Sequence, residues 1–156
     1  MKRDNKRLLI LKHLRNNARS SFSNISRYTG IPVTTVFDNY HKFVKSRIIT
    51  RHTSLVDFKK LGYYFRSFVF IKSRQKLELL SFLTGHDNVN SVYRISYYDY
   101  FVDAVFPTIK EFYLFLDDMR DFGILRLEIH DVIEHIKKEE FFSTGDKQKK
   151  LFRRNH

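Results

Sequence analysis

Through the first fifty residues the apolar positions recur every three to four residues, whereas beyond residue 62 they alternate or run together as aromatic stretches. Between Ser21 and Lys45, Val36, Tyr40 and Phe43 fall at i, i+4 and i+7, which places them on one buried stripe of a helix. Thr34, Thr35, Asp38, His41, Lys42 and Lys45 are then turned elsewhere. Ile25 sits on a shorter helix before it, and Gly30 with Ile31-Pro32 marks a tight turn between the two. Gly30 permits the backbone such a turn needs, and Pro32 suits a first helical position. That is the shape of a helix-turn-helix. Upstream, Asp4 to Asn16 reads as a helix with Asp4 as N-cap and Ile10, Leu11 and Leu14 inward, and Ser20 or Ser21 caps the next. Downstream, Ile48 to His52 and Leu55-Val56 read as two short strands about Thr53-Ser54, a small wing. Residues 1–53 therefore predict a winged helix-turn-helix domain, and residues 54–62 a connector.

From Tyr63 the period changes. Tyr63 to Lys72 predicts a strand, Gln75 to Gly85 a helix carrying Leu77, Leu80 and Leu83, and Val89 to Ile95 and Tyr98 to Phe106 two strands joined across Ser96-Tyr97. Thr108 with Glu111 forms a capping box that opens a helix with Ile109, Phe112, Leu116 and Met119 inward. Gly123 ends that helix, and Ile124 to Ile136 is the last strand. The β-α-β-β-α-β order over residues 63–140 is the ferredoxin-like arrangement, two helices on one face of a four-stranded antiparallel sheet. The whole is an α+β chain: an N-terminal winged helix-turn-helix, a ferredoxin-like βαββαβ domain, and a basic tail at 141–156.

Two strands are apolar on both faces. Phe65, Val69 and Ile71 oppose Tyr64, Phe68 and Phe70, while Tyr100, Val102, Ala104 and Phe106 oppose Phe101 and Val105. A sheet covered on one side should alternate apolar and polar, so the second face is expected to pack against a second copy as a two-fold dimer.

Charge gives this organisation a direction. Residues 1–60 carry 14 Lys and Arg against three acids, residues 61–146 carry 10 against 14, and residues 147–156 carry five against none. A basic segment coinciding with the helix-turn-helix is the electrostatic footprint of a chain that lies on phosphates. Double-stranded DNA is the expected partner. The expected base-facing residues are Thr34, Thr35, Asp38 and His41, with Ser21, Arg27, Lys42, Lys45 and Arg51 on phosphates. With no Cys in 156 residues, disulfides, thiolate metal sites and cysteine catalysis are excluded. No apolar run of membrane-spanning length is visible, and a cytoplasmic, nucleoid-associated protein is expected. His130 and Glu134 would share a strand face, but no third ligand at a recognisable spacing accompanies them, so no metal is expected. No catalytic residues and no cofactor are expected either.

In the order and spacing of Asp4, Ile10-Leu11, Leu14, Asn17-Ala18-Arg19, Gly30-Ile31, Thr35-Val36, Ile48-Ile49, Val56-Asp57, Leu61-Gly62, Tyr98-Asp99-Tyr100 and Gly123, the chain resembles the Lrp/AsnC family, the leucine-responsive or feast/famine regulators. The resemblance spans about residues 4–136. It implies a sequence-specific DNA-binding regulator of transcription, dimeric or larger, with a small-molecule site between C-terminal domains, commonly for amino acids. Ser96, Tyr97 and Asp99 are the effector-site candidates on that basis. The chain departs from the family pattern at Asn39, Phe43-Val44, Arg47, Ser96, and Leu127 or Ile129. Two other readings are a tetrapyrrole enzyme similar to siroheme decarboxylases, which resemble the family in fold, and a protein that coats DNA with little sequence preference.

Overall fold

The computed structural model describes residues 3–142, and the side chains of residues 5–142. Asp4 is not the expected N-cap, because the first helix already includes Arg3 before it, and nearly all of the expected basic tail lies outside the described residues. The chain forms two compact units, one comprising residues up to Leu55 together with the segment from Lys137, the other Val56–Ile136.

In the first unit, helices α1 (Arg3–Asn16), α2 (Phe22–Thr29) and α3 (Val33–Lys45) pack around Ile10, Leu14, Ile25, Ile31, Val36 and Phe43. Ser21 caps α2, its hydroxyl accepting from the Asn24 N–H at 3.2 Å. Gly30 sits at φ 68° and donates its N–H to Ser26 O, so α2 stops where a side chain would be strained. Pro32 is the N-cap of α3, at φ −51° and ψ 139°, one position earlier than the sequence suggests. At the other end Arg47 takes φ 55°. The N–H groups of Arg47 and Ile48 reach back to Val44 O and Phe43 O, a Schellman closure made with arginine where glycine is usual. The expected wing is absent. Residues 48–57 contain no strand: the chain bends at Ile48 and Ile49 and then runs on with no paired neighbour. The segment from Lys137 belongs to this unit through Glu139, which pairs with Arg15, and Phe142, over which the Lys12 ammonium lies at 5.6 Å.

The second unit begins with a 3-10 turn at Phe58–Leu61, closed by Gly62 at φ 89°. It continues as β1 (Phe65–Ser73), α4 (Lys76–Gly85), β2 (Val89–Arg94), β3 (Tyr100–Phe106), α5 (Ile109–Asp118) and β4 (Ile124–Asp131). The sheet is antiparallel in the order β2-β3-β1-β4, the ferredoxin-like topology. Val69, Ile71, Tyr100, Val102, Ala104 and Phe106 meet Leu79, Leu83, Phe112, Phe115 and Met119 of the helical layer in one core. Thr108 caps α5, accepting from the Glu111 N–H, while its hydroxyl donates to the Glu111 carboxylate.

Three expectations about this unit need correction. Leu77 is 74 % exposed, because a spacing of three drifts around a helix and the buried face of α4 is set by Leu79 and Leu83. Ile109 is 52 % exposed, because Phe115 shares the buried face of α5 with Phe112 and turns that face away from the first residue. The last strand stops at Asp131, opposite Ser67, short of the expected Ile136. Val132 makes one more bond, to Arg66 O, and residues 133–136 leave the sheet, so Glu134 does not share a strand face with His130.

Candidate nucleic-acid interface

The burial of Val36 and Phe43 fixes how α3 is rotated. At about 100° per residue, Thr34, Asp38, His41, Lys42 and Lys45 fall within an arc of about 100° on the opposite side, and all five are exposed. Thr35 lies at the edge of that arc and is partly buried. Its carbonyl accepts from Asn39 Nδ2 at 2.7 Å, a bond that ties two successive turns together. The helix start is open. Pro32 contributes no side-chain cap and the first turn carries no acid, so the N–H groups of Val33, Thr34 and Thr35 point forward from the positive end of the helix. Such an end accepts a phosphate oxygen.

The remaining expected residues lie on other elements of the same unit. Arg27 is exposed on α2, Ser21 stands at its start, and Arg51 is exposed on the segment after α3. Ser21 is committed to capping through its oxygen lone pair, which leaves its hydroxyl hydrogen for an outside acceptor. His52 holds this segment against α3. Its Nε2 lies 3.1 Å from the Tyr40 hydroxyl, and the two rings stack at 6.0 Å. Sequence reasoning missed this pair because Tyr40 looked fully used as a core residue. It also missed Phe37, which is 47 % exposed beside the polar arc. The signal was present in the i, i+4 spacing of Val33 and Phe37. His13 of α1 stacks on Tyr28, and burial holds its imidazole pKa below its ordinary value.

The effector candidates occupy the turn between β2 and β3. Tyr97 takes φ 70° and is 90 % exposed, and Ser96 is exposed beside it. Asp99 is engaged within the fold: one oxygen accepts from the Ser73 N–H at 3.0 Å and the other pairs with Lys76 Nζ at 2.5 Å. Burial pushes its carboxyl up, but the Lys76 and Ser73 bonds and the charges of Lys76 and Lys72 outweigh burial and hold it below the usual carboxylate range. A cavity of about 370 Å³ in this unit is lined instead by Phe58, Leu61, Tyr63, Asp87, Asn88, Val89, Asn90 and Val105. None of the three candidates borders it. Among the described residues no group of three or more His, Asp or Glu could hold a metal ion, and no helix is long and apolar enough to cross a membrane.

No protein-family model matches the chain. Among curated proteins it is 28% identical over 111 residues to the HTH-type transcriptional regulator FL11 of Pyrococcus horikoshii, covering 69% of this chain and 74% of that one. Among solved structures it superposes on LrpC of Bacillus subtilis with a TM-score of 0.80 at 20% identity, over 88% of this chain and 99% of LrpC. It superposes on the transcriptional regulator NMB0573 of Neisseria meningitidis, solved as an L-Met complex, with a TM-score of 0.77 at 16% identity, over 88% and 93%. The LrpC and NMB0573 likenesses are likenesses of fold, and the FL11 match is a separate likeness of sequence. Taken with the helix-turn-helix and the βαββαβ order, they show that the chain shares the fold of LrpC and is similar in sequence to an HTH-type transcriptional regulator.

Proposed function

We propose that the protein is a DNA-binding regulator of transcription that reads its site with α3. The observation that carries this is the outward arc of Thr34, Asp38, His41, Lys42 and Lys45 on a helix whose positive end is open. In a major groove the leading hydroxyls reach base edges and phosphates, while Lys42, Lys45, Arg27 and Arg51 supply the salt-dependent attraction of the backbone. The double variant Thr35→Ala with Lys42→Ala tests the assignment: affinity for a selected site falls, and unchanged affinity sinks it.

The open face of the sheet supports a dimer. Phe70 lies 5.0 Å from Phe101 and 5.6 Å from Tyr98, and Phe101 lies 5.2 Å from Phe68 and 5.6 Å from Tyr93. A second copy laid on this face removes the aromatic surface from water and gives the assembly two reading helices, which calls for half-sites about one helical turn apart or a multiple of it. Phe70→Glu should leave a monomer in sedimentation, and an undiminished dimer would move the interface elsewhere.

Regulation by a small molecule is part of the same reading. The L-methionine bound by the Neisseria regulator makes amino acids the first class to test. DNA affinity measured with and without each common amino acid should change for at least one of them. Affinity unmoved by all of them would remove amino acids from the account.

A further inference from the structure

Beside its polar arc α3 carries a second stripe that the reading above leaves without a role. Val33, Phe37 and Val44 lie within about 40° of one another around the helix axis, and they are 44 %, 47 % and 43 % exposed. Phe37 borders the polar arc on the His41 side. Its ring is held rather than loose: Phe22 meets it edge-on at 5.7 Å, and His41 leans on it at 4.2 Å. A large apolar ring is thus fixed in orientation with nearly half its surface in water, next to the residues turned toward DNA.

What could cover it is limited by charge. Residues 1–55 carry 12 Lys and Arg against Asp4 and Asp38, so a second copy of this unit would bring like charge to the stripe, whereas a duplex brings the opposite sign. Within a major groove the apolar group on the base edges is the 5-methyl of thymine, which the other bases lack. We infer that Phe37 is a specificity-determining residue that packs on a thymine 5-methyl group in the major groove, oriented by Phe22 and His41. The inference rests on the assignment of α3 as the reading helix. It adds a thymine requirement that hydrogen-bonding side chains alone do not create.

Uracil removes only the methyl group and leaves every hydrogen-bonding atom of the base in place. A duplex site is first selected from random sequence by the full-length protein, and each thymine is then replaced by uracil in turn. At one or two positions the wild-type protein should lose roughly fourfold in affinity, as expected for one methyl group returned to water. Phe37→Ala should bind the thymine site more weakly and be indifferent to uracil at those positions. If no uracil substitution weakens the wild-type protein, or if Phe37→Ala keeps the full uracil penalty, the inference is overturned. The wild-type series needs no variant to fold. Failure to select any site would overturn the DNA reading itself, a result distinct from a selected site that tolerates uracil throughout.

Discussion

Arg66 of β1 and Asp103 of β3 form a two-pronged ion pair, Nε to Oδ1 at 2.7 Å and a second guanidinium nitrogen to Oδ2 at 2.5 Å, with both side chains largely withdrawn from water. Asn90 Nδ2 adds a third bond to the same carboxylate at 2.6 Å, and His135 Nε2 lies 2.6 Å from the remaining Arg66 nitrogen. The network joins β2, β3, β1 and the chain leaving β4. Removing one member of such a pair strands the other charge, so Asp103→Ala should lower stability by about 3 kcal/mol. Replacing both residues by Leu should be less damaging than the single change. Denaturant unfolding of the variants decides this, and a loss below about 1 kcal/mol for Asp103→Ala would mean that Arg66 finds water instead.

Asp99 predicts a pH dependence. Its folded pKa is lowered from 3.8, so the carboxylate is favoured by folding. The associated stability is fully present above the unfolded value and is lost as pH falls through the folded one, because the unfolded chain then binds more protons. The difference in stability between wild type and Asp99→Asn should therefore be constant at neutral pH and shrink below about pH 4. A difference that stays constant down to pH 2 would show that the bonds to Ser73 and Lys76 do not depend on charge.

Arg47 bears the strain of ending α3. A non-glycine residue in the left-handed region costs about 1 kcal/mol, and Arg47 sits there at φ 55°. Arg47→Gly should stabilise the first unit by roughly that amount, read as a rise in melting temperature. A fall would mean that the arginine side chain makes up the strain through contacts of its own.

Lys42 and Lys45, exposed on the outward arc, are assigned to phosphates. Replacing either by Ala should weaken specific and random DNA alike and reduce the slope of log affinity against log salt by about 1. Thr34→Ala should instead relax preference at one position of the site with the slope unchanged. If Lys45→Ala altered base preference, that lysine would be reading an edge rather than a phosphate.

The elements were legible where periodicity and punctuation agreed. Val36 and Phe43 lie on one stripe, Ser21 and Gly30 bracket α2, and Thr108 opens α5, each for a local reason that a neighbouring unit cannot override. The wing failed because Ile48, Ile49 and Val56 have strand-forming side chains, yet strands exist only in pairs and the chain offers these residues no partner. Leu77 failed because a spacing of three was followed where the helix turns on 3.6, and Ile109 failed because the burial of Phe115 rotates the inner face of α5 away from it. On α3 the polar arc could be derived from its complement, the buried stripe. For Phe37 the i, i+4 spacing from Val33 marks a second stripe, but how far its ring stands outside depends on where Phe22 lies, a tertiary fact.

The most direct test of sequence reading is the affinity of the full-length protein for its selected duplex against a scrambled duplex of the same composition, both at about 0.15 M salt. The prediction is a ratio of roughly a thousandfold or more. Near-equal affinities, both falling steeply with salt, would contradict it and leave a protein that coats DNA through charge alone.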